Sequence, residues 1–286
     1  MKAYLKLIRI KHYVKNLLIF TALVFSGQLL VSGKLRDCAI GFAAFCLVSS
    51  AIYVFNDIKD KDKDRLHPQK CKRPVASGEI PVKNAVIVMF VCLILAGVCF
   101  AFIFNWQALI LLTAYIAINI GYSLGLKNIP LVDVTILVAG FLIRVLFGAV
   151  ITGIVVSNWL YLTVISLSFF MALGKRRNEL KQFGTDNTRQ VLKSYNASFL
   201  EKSMYMCLTM ANTFYSLWAM SDADENVRNL KIFTAPVVFL ITLKYCMNIE
   251  NDSSDGDPTE VLFHDKVLLL LSLLYAVAMI LILYRR

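Results

Sequence analysis

The sequence has 286 residues, of which 58% are hydrophobic and 17% are charged, whereas soluble domains average about 45–50% and about 25%. This composition argues against a soluble globular domain. The net charge of +11 would favour nucleic-acid binding in a soluble protein, but the apolar content and the placement of the basic residues argue against a nucleic-acid partner.

Nine apolar runs follow one another along the chain, and several reach the roughly 17–25 residues that span a bilayer. The runs are 17–32, 38–55, 84–104, 106–124, 132–152, 157–173, 203–220, 229–248 and 267–284. This pattern predicts an all-α polytopic membrane protein with nine transmembrane helices. Because no linker, repeat or low-complexity tract interrupts it, we expect one transmembrane domain over 1–286.

The basic residues predict how the chain is oriented. If the N-terminus lies inside, the inner segments and the adjoining helix ends hold 23 of the 30 Lys and Arg residues. The positive-inside rule then predicts a multi-pass protein of the inner or plasma membrane with a cytoplasmic N-terminus. Two long hydrophilic stretches on this side, 56–83 and 174–202, are predicted to be catalytic loops that come together around one active site.

The first of these stretches follows the second run and reads NDIKDKDKDRLHPQKCKRPVASG. On a helical projection, four oxygen-bearing side chains and a histidine share a face about 100° wide, from which Asp62 is excluded. These five residues are Asn56, Asp57, Asp60, Asp64 and His67. Hard oxygen ligands suit Mg²⁺, which proteins hold through one or two carboxylates and the phosphates of a substrate. Lys70 and Arg73 would bind the remaining phosphate charge. A solvated helix end of mixed charge is the alternative interpretation.

The second stretch contains GKRRNE, in which Lys175 and Glu179 lie one turn apart on a helix face, with two arginines beside them. Membrane-interface anchoring is the alternative for these cations and for two further segments. NIGYSLGLKNIPLVDV (119–134) brings Tyr122, Ser123, Lys127 and Asp133, and RIKHYVKN (9–16) brings Arg9, Lys11, Lys15 and Asn16.

Arg144 differs from the other cations because it lies about three turns into the fifth run. A charge at that depth is expensive and faces a polar cavity or a partner. Asp133 is too far along the same helix to pair with it, so a ligand phosphate or another helix is expected to do so.

Together these motifs resemble the UbiA superfamily of intramembrane prenyltransferases. Its marks are NDxxDxxxD after the second of nine helices and DxxxD after the sixth. Asn56, Asp57, Asp60 and Asp64 match the first motif, whereas Lys175 and Glu179 stand where the second has its acids. In this departure the sequence is similar to one branch of the superfamily, the decaprenyl-phosphate phosphoribosyltransferases. The stretches that carry this similarity are RxKxxxKN (9–16), NDxxDxxxDRxHPxKxxRPxASG (56–78), NxxYSxxLK (119–127), GFLIR (140–144) and GKRRNE (174–179).

The resemblance implies a UbiA-type bundle and a Mg²⁺-dependent pentosyltransferase of cell-envelope biosynthesis. Such an enzyme moves 5-phosphoribosyl from phosphoribosyl pyrophosphate to a long-chain polyprenyl phosphate lipid and releases pyrophosphate. Catalytic and metal-binding roles would fall to Asp57, Asp60 and Asp64, with Asn56 as a further ligand. The implied substrate contacts are Arg9, Lys15, Asn16, His67, Lys70, Arg73, Tyr122, Lys127, Arg144, Lys175, Arg176, Arg177 and Glu179.

Two other functions stay open at this point. A prenyltransferase acting on an aromatic or other small acceptor would share the fold and the first motif, but it should keep acids at 175 and 179. A transporter or lipid-binding protein without catalysis would spread its charges over both faces. The prenyl chain length, the fate of the product and the formation of a homo-oligomer are also open.

Overall fold

The computed structural model describes residues 2–66, 69–183, 190–250, 261 and 265–284, and the regular structure of these residues is helical. We number the α-helices in chain order. They are α1 Lys2–Leu7, α2 Thr21–Phe25, α3 Lys34–Lys59, α4 Lys61–Arg65, α5 Val82–Ala101, α6 Trp106–Leu124, α7 Val132–Thr152, α8 Asn158–Phe183, α9 Ala197–Met220, α10 Glu225–Ile232, α11 Ala235–Glu250 and α12 Lys266–Tyr284. Short 3₁₀ helices cover Ile10–Phe20, Lys70–Lys72, Leu126–Asn128 and Gln190–Ser194.

The chain divides into two compact units. The first comprises Met1–Leu23, Gln28–Leu126 and Ile143–Val155, and the second comprises Val24–Gly27, Lys127–Leu142 and Val156–Arg286. In the first unit α3 packs on α5 and α6, and in the second α8 packs on α9, and α11 on α12. The prediction of one domain over 1–286 stays a prediction.

Within the described ranges, six segments are long and apolar enough to cross a membrane: α3, α5, α6, α7, α12 and the stretch Glu225–Glu250 that contains α10 and α11. In α12, only 11% of the most apolar window is buried inside the protein. Exposed leucine, valine and isoleucine side chains on such a helix are stable only in a lipid environment. The chain is therefore an all-helical, multi-pass membrane protein.

The predicted count of nine transmembrane helices is not confirmed. Runs 157–173 and 203–220 do form helices, α8 and α9, but both helices also carry charged residues. The first run, 17–32, does not form one helix. Its 3₁₀ helix ends at Phe20, α2 ends at Phe25, and Gly27 then takes a left-handed conformation with φ 70°.

Local sequence explains where several helices begin. The Asn105 side chain accepts hydrogen bonds from the backbone N–H groups of Gln107 and Ala108 and so caps α6. Asn196 caps α9 in the same way, through the N–H of Ser198. These side chains satisfy donors that a helix start leaves without an intrahelical acceptor. The caps place the starts of α6 and α9 at these residues.

Gly148 of α7 marks a close approach between two segments of the first unit. A Cβ atom at this position would overlap the backbone carbonyl group of Ile19 in the 3₁₀ helix. By contrast, a Cβ atom on Gly97 of α5 would meet nothing within 4 Å. Only the first glycine is therefore required by packing.

We expect Gly148→Ala to lower the thermal unfolding midpoint of the detergent-solubilised protein, because the added methyl group costs about 1–3 kcal/mol in overpacking. Gly97→Ala is the matched control and should leave the midpoint unchanged or slightly raised, since alanine favours a helix. Equal midpoints for the two variants would contradict the close approach.

Candidate functional site

In the first unit, the acidic stretch lies where α3 meets α4. Asp60 joins the two helices, yet its N–H still donates to the carbonyl of Asn56 at 2.9 Å, and that of Asp64 donates to Asp60 at 2.8 Å. This four-residue spacing stacks Asn56, Asp60 and Asp64 along one face. Asp57 and Asp64 are 1% and 4% exposed, whereas the side chain of Asp62 is 91% exposed. The geometry separates Asp62 from the others, as the helical projection predicts.

Two guanidinium groups contact the buried carboxylates of this stretch. Arg9 places its Nη2 atom 2.5 Å from Asp57 Oδ1. Arg73 bridges two acids, with its Nη1 atom 2.6 Å from Asp64 Oδ2 and 3.3 Å from Asp57 Oδ1. The two carboxylates are therefore close enough to share one cation. Burial in low dielectric makes such pairing necessary, because an isolated buried carboxylate is strongly destabilising.

Arg9 reaches Asp57 from a strained backbone. Its φ of 55° and ψ of 51° are left-handed, a conformation that costs a non-glycine residue roughly 1–2 kcal/mol. The guanidinium also lies 4.9 Å from the centroid of the Tyr53 ring, a distance that allows a cation–π interaction. The ion pair and the ring contact together compensate for the strain.

Asn56 of α3 is contacted by a residue of another helix in the same unit. The hydroxyl of Ser123, near the end of α6, donates a hydrogen bond to Asn56 Oδ1. Ser123 is buried, and the neighbouring Tyr122 is half-buried. This contact links the 119–127 motif with the 56–64 motif, which are far apart in the sequence.

The donor set of the acidic stretch fits Mg²⁺. Among the described residues, no group of three or more His, Cys, Asp or Glu side chains is placed to hold a metal ion. Two carboxylates, Asp57 and Asp64, do share a guanidinium, and the amide oxygen of Asn56 precedes them. Since Mg²⁺ in proteins usually takes one or two carboxylates and completes its shell with water and substrate phosphates, this oxygen set is sufficient.

Arg144 is buried in the first unit, with 6% of its surface exposed. Its Nε atom donates to Asn16 Oδ1 at 2.7 Å, and its Nη2 atom donates to the hydroxyl oxygen of Tyr115 at 2.9 Å. The guanidinium also lies 5.1 Å from the ring centroid of Phe45. The expected polar partner from another helix is thus present in Tyr115, while Asn16 supplies a second. These two partners are a neutral amide and a neutral hydroxyl group.

The second unit separates the three adjacent cations of the GKRRNE stretch. Lys175 is exposed, whereas Arg176 and Arg177 are 0% and 1% exposed. All three lie near the C-terminal end of α8, and their 100° steps point them to different sides of that helix. Of these three, Lys175 is the exposed residue.

Arg176 belongs to a buried chain of polar groups. Its Nε atom lies 2.5 Å from Asp133 Oδ2, and its Nη1 atom lies 2.8 Å from Glu179 Oε2. The hydroxyl of Tyr195 donates to the other oxygen of Asp133 at 2.6 Å. Asp133 and Arg176 have fully buried side chains, whereas that of Glu179 is 21% exposed. Glu179 is therefore the member of this chain that meets the surroundings.

Arg177 ties three helices of the second unit together. Its Nη2 atom contacts Glu250 Oε2 of α11 at 2.5 Å and Glu201 Oε1 of α9 at 3.4 Å. Burial by itself lowers the pKa of Arg177, but these carboxylates outweigh that effect and the pKa is raised. Its Nε and Nη1 atoms have no hydrogen-bond partner within the described part of the chain.

The remaining predicted contacts are Lys15, Lys70 and Lys127, and the structure leaves all three half-buried. His67 lies outside the described residues. Sequence reasoning missed Tyr115, Glu201 and Glu250, which contact buried arginines. It also missed Tyr195, which donates to Asp133, the partner of Arg176. A buried arginine needs an acceptor, and that need was the available signal. The sequence does not indicate which residue supplies the acceptor.

Comparisons with known proteins agree with this architecture. The model of the UbiA prenyltransferase family matches residues 17–223. A decaprenyl-phosphate phosphoribosyltransferase of Corynebacterium glutamicum is 33% identical over 290 residues, which cover 98% of this chain and 86% of the relative. The protein of the same name from Mycolicibacterium smegmatis is 32% identical over 283 residues, covering 94% and 88%.

A solved structure with the same fold is that of a UbiA homolog from Archaeoglobus fulgidus bound to GPP and Mg²⁺. The TM-score is 0.72 at 19% identity, with 98% of this chain and 99% of the other covered. At this identity the likeness establishes the fold alone. The family model and the full-length relatives confirm the resemblance on which the sequence interpretation rests: the chain belongs to the UbiA prenyltransferase family.

Proposed function

We propose that this protein transfers 5-phosphoribosyl from phosphoribosyl pyrophosphate to a long-chain polyprenyl phosphate. The observation that carries the proposal is Lys175, an exposed cation at the position where the superfamily has the first acid of its second motif. A lysine there would bind a phosphate directly instead of through a metal. Full-length similarity to relatives named decaprenyl-phosphate phosphoribosyltransferase supports the same reaction.

Mg²⁺ would be held by the oxygens of Asn56, Asp57, Asp60 and Asp64. When bound, the metal would neutralise the pyrophosphate that departs from the ribose. Arg73 contacts two of the same carboxylates, so it would add positive charge beside that group. Lys70, from the same loop, would bind a further phosphate oxygen of the donor.

The reaction breaks the bond between the anomeric carbon and the pyrophosphate oxygen, and the electron pair leaves with the pyrophosphate. An oxygen of the lipid phosphate forms the new bond to the same carbon. Because a phosphate monoester is already ionised at neutral pH, no general base is needed. Rate enhancement would come from orientation and from cations fixed beside the leaving group.

Different cations would serve the two substrates. For the donor we propose Lys175, with Glu179 accepting hydrogen bonds from the ribose hydroxyls. Arg176 and Arg177, which the resemblance implies as phosphate ligands, are buried among carboxylates, and we propose that they keep the 174–179 segment in place. For the acceptor phosphate we propose Lys127, Arg144 and the Arg9–Lys15 segment, with Tyr122 and Asn16 as neutral neighbours.

The remaining proposals concern the membrane. Lipid-facing helices would bind the prenyl chain of the acceptor. The excess of Lys and Arg on the predicted inner segments favours a cytoplasmic N-terminus and reaction at the cytoplasmic face. Nine membrane crossings remain our proposal for the family fold.

The reaction itself is tested with purified protein, labelled phosphoribosyl pyrophosphate, polyprenyl phosphate and Mg²⁺. We expect labelled lipid and free pyrophosphate in equal amounts. No labelled lipid, together with prenyl transfer from a prenyl diphosphate to an aromatic acceptor, would overturn the proposal in favour of prenyltransferase activity. The absence of both products would favour the third interpretation, a non-catalytic membrane protein.

Loss of carboxylate charge from the acidic stretch should strongly lower this turnover. Asp57→Asn should lower kcat by at least about 100-fold, the scale seen when a charge that acts on a leaving group is lost. Asp60→Asn should also raise the Mg²⁺ concentration needed for half-maximal rate. Asp62→Asn is the matched control, because its side chain is exposed and lies off the shared face. Near-normal activity of the first two variants would refute the metal role.

Charge reversal at Lys175 tests the departure from the superfamily pattern. Lys175→Glu should raise KM for phosphoribosyl pyrophosphate by about tenfold or more, because one charge-assisted contact is replaced by repulsion. Arg36→Glu reverses a 74% exposed charge at the start of α3, at the other end of that helix from Asp57, and should leave KM unchanged. An unchanged KM for Lys175→Glu would return this residue to membrane anchoring.

A further inference from the structure

A buried hydrogen-bonded chain in the second unit connects Tyr195 to Glu179. Starting from Tyr195, the hydroxyl donates to Asp133, and Asp133 accepts from Arg176 through its second oxygen. Arg176 then donates from Nη1 to Glu179. The three donor–acceptor distances are 2.6, 2.5 and 2.8 Å. Each link involves a charged group, so each is stronger than a neutral hydrogen bond.

We propose that Tyr195 and Asp133 are positioning residues for the transfer reaction, which act through Arg176 to hold the carboxylate of Glu179 in its binding orientation. The inference rests on the proposed function and adds two residues to it. Tyr195 carries no sequence motif. Asp133 was predicted as a polar residue of the 119–134 segment that is too far from Arg144 to pair with it, with no role assigned.

The contacts of Asp133 restrict the side-chain orientation of Arg176. Its carboxylate uses one oxygen for the guanidinium and the other for the phenol, and its side chain is 0% exposed. Rotation of Arg176 away from it would leave a buried carboxylate without its counter-ion, which is strongly destabilising. The guanidinium is therefore locked, with Nη1 directed at Glu179.

The phenol of Tyr195 is fixed on its other side. Its oxygen accepts a hydrogen bond from the backbone N–H of Leu131 at 2.7 Å. Leu131 has a φ of 66°, which is left-handed and unfavourable for leucine. Burial and the neighbouring Asp133 carboxylate raise the pKa of Tyr195 to about 12, so the phenol stays protonated and remains a donor at neutral pH.

Glu179 is the charged member of this hydrogen-bonded series whose side chain is partly exposed and can contact a ligand. It lies one helical turn beyond Arg176 on α8, and its side chain is 21% exposed. A glutamate loses side-chain rotamer freedom when it is ordered. Because Arg176 orders this side chain before the substrate arrives, binding of the ribose hydroxyls would not bear that loss.

A double-mutant cycle between Tyr195→Phe and Glu179→Gln tests the proposal. Tyr195→Phe should lower kcat/KM for phosphoribosyl pyrophosphate by about tenfold, as expected when a hydrogen bond to a charge is lost. In the Glu179→Gln background the same change should have less than a twofold effect, because the group that it positions is already altered. Equal losses in both backgrounds would overturn the positioning role.

Tyr215→Phe is the matched control. This substitution removes another buried tyrosine hydroxyl from the second unit, which contacts Thr234. Tyr215 lies in α9, near the opposite end of that helix from Glu201. The substitution should alter the unfolding midpoint but not kcat/KM, and a comparable loss of kcat/KM would overturn the inference. If the wild-type protein forms no labelled lipid, the proposed function and this inference both fall, whereas an active enzyme with additive losses rejects this inference alone.

Discussion

Pairing between buried guanidinium and carboxylate groups is the interaction on which the polar part of each unit depends. These groups are buried inside the protein, where water cannot solvate them, and an unpaired charge there costs several kcal/mol. In the first unit Asp57 is held by Arg9 and Arg73. In the second, Asp133 is held by Arg176, with both side chains fully buried. Each pair fixes the side chains around it, because loss of one member leaves the other uncompensated.

Strain in the described backbone occurs next to these same pairs. Among the described non-glycine residues, Arg9 and Leu131 are the two with positive φ, at 55° and 66°. Arg9 contacts Asp57 directly, and Leu131 reaches Asp133 through the phenol of Tyr195. Strained residues persist only where the surrounding contacts hold them, and they concentrate at functional sites. In each unit, the strained residue is thus joined to a buried carboxylate of the proposed machinery.

The three adjacent cations of the 174–179 segment differ in burial and in their contacts. A sequence shows three successive positive residues, and all three appear equally suited to phosphate. Their separation arises because α8 is packed on one side by α9 and exposed on another. Arg176 and Arg177 face carboxylates inside the unit, while Lys175 faces outward. We therefore propose supporting roles for the two buried arginines, whereas Lys175 is exposed at the position where the superfamily carries an acid.

Much of the fold could be predicted because apolar runs and helical periodicity are local properties. The runs predicted the helices α3, α5, α6, α7 and α12, and the 100° step predicted that Asp62 would lie apart from its neighbours. The first run could not be predicted correctly from hydropathy, because Gly27 in a left-handed conformation and the 3₁₀ geometry before it depend on packing. The partners of Arg176 could not be predicted either, since Asp133 is 43 residues away in the sequence.

The sequence by itself determined the class of the molecule, the family and the chemical types available to the site. Apolar content can be read from the sequence without any tertiary contact. The NDxxDxxxD motif likewise places its oxygens on one face through helical spacing alone. Only the tertiary structure decided which charges are buried and which remain outside, and which tyrosines hold the arginines. These properties depend on contacts between residues distant in the chain, where the cost of an unpaired buried charge selects one arrangement.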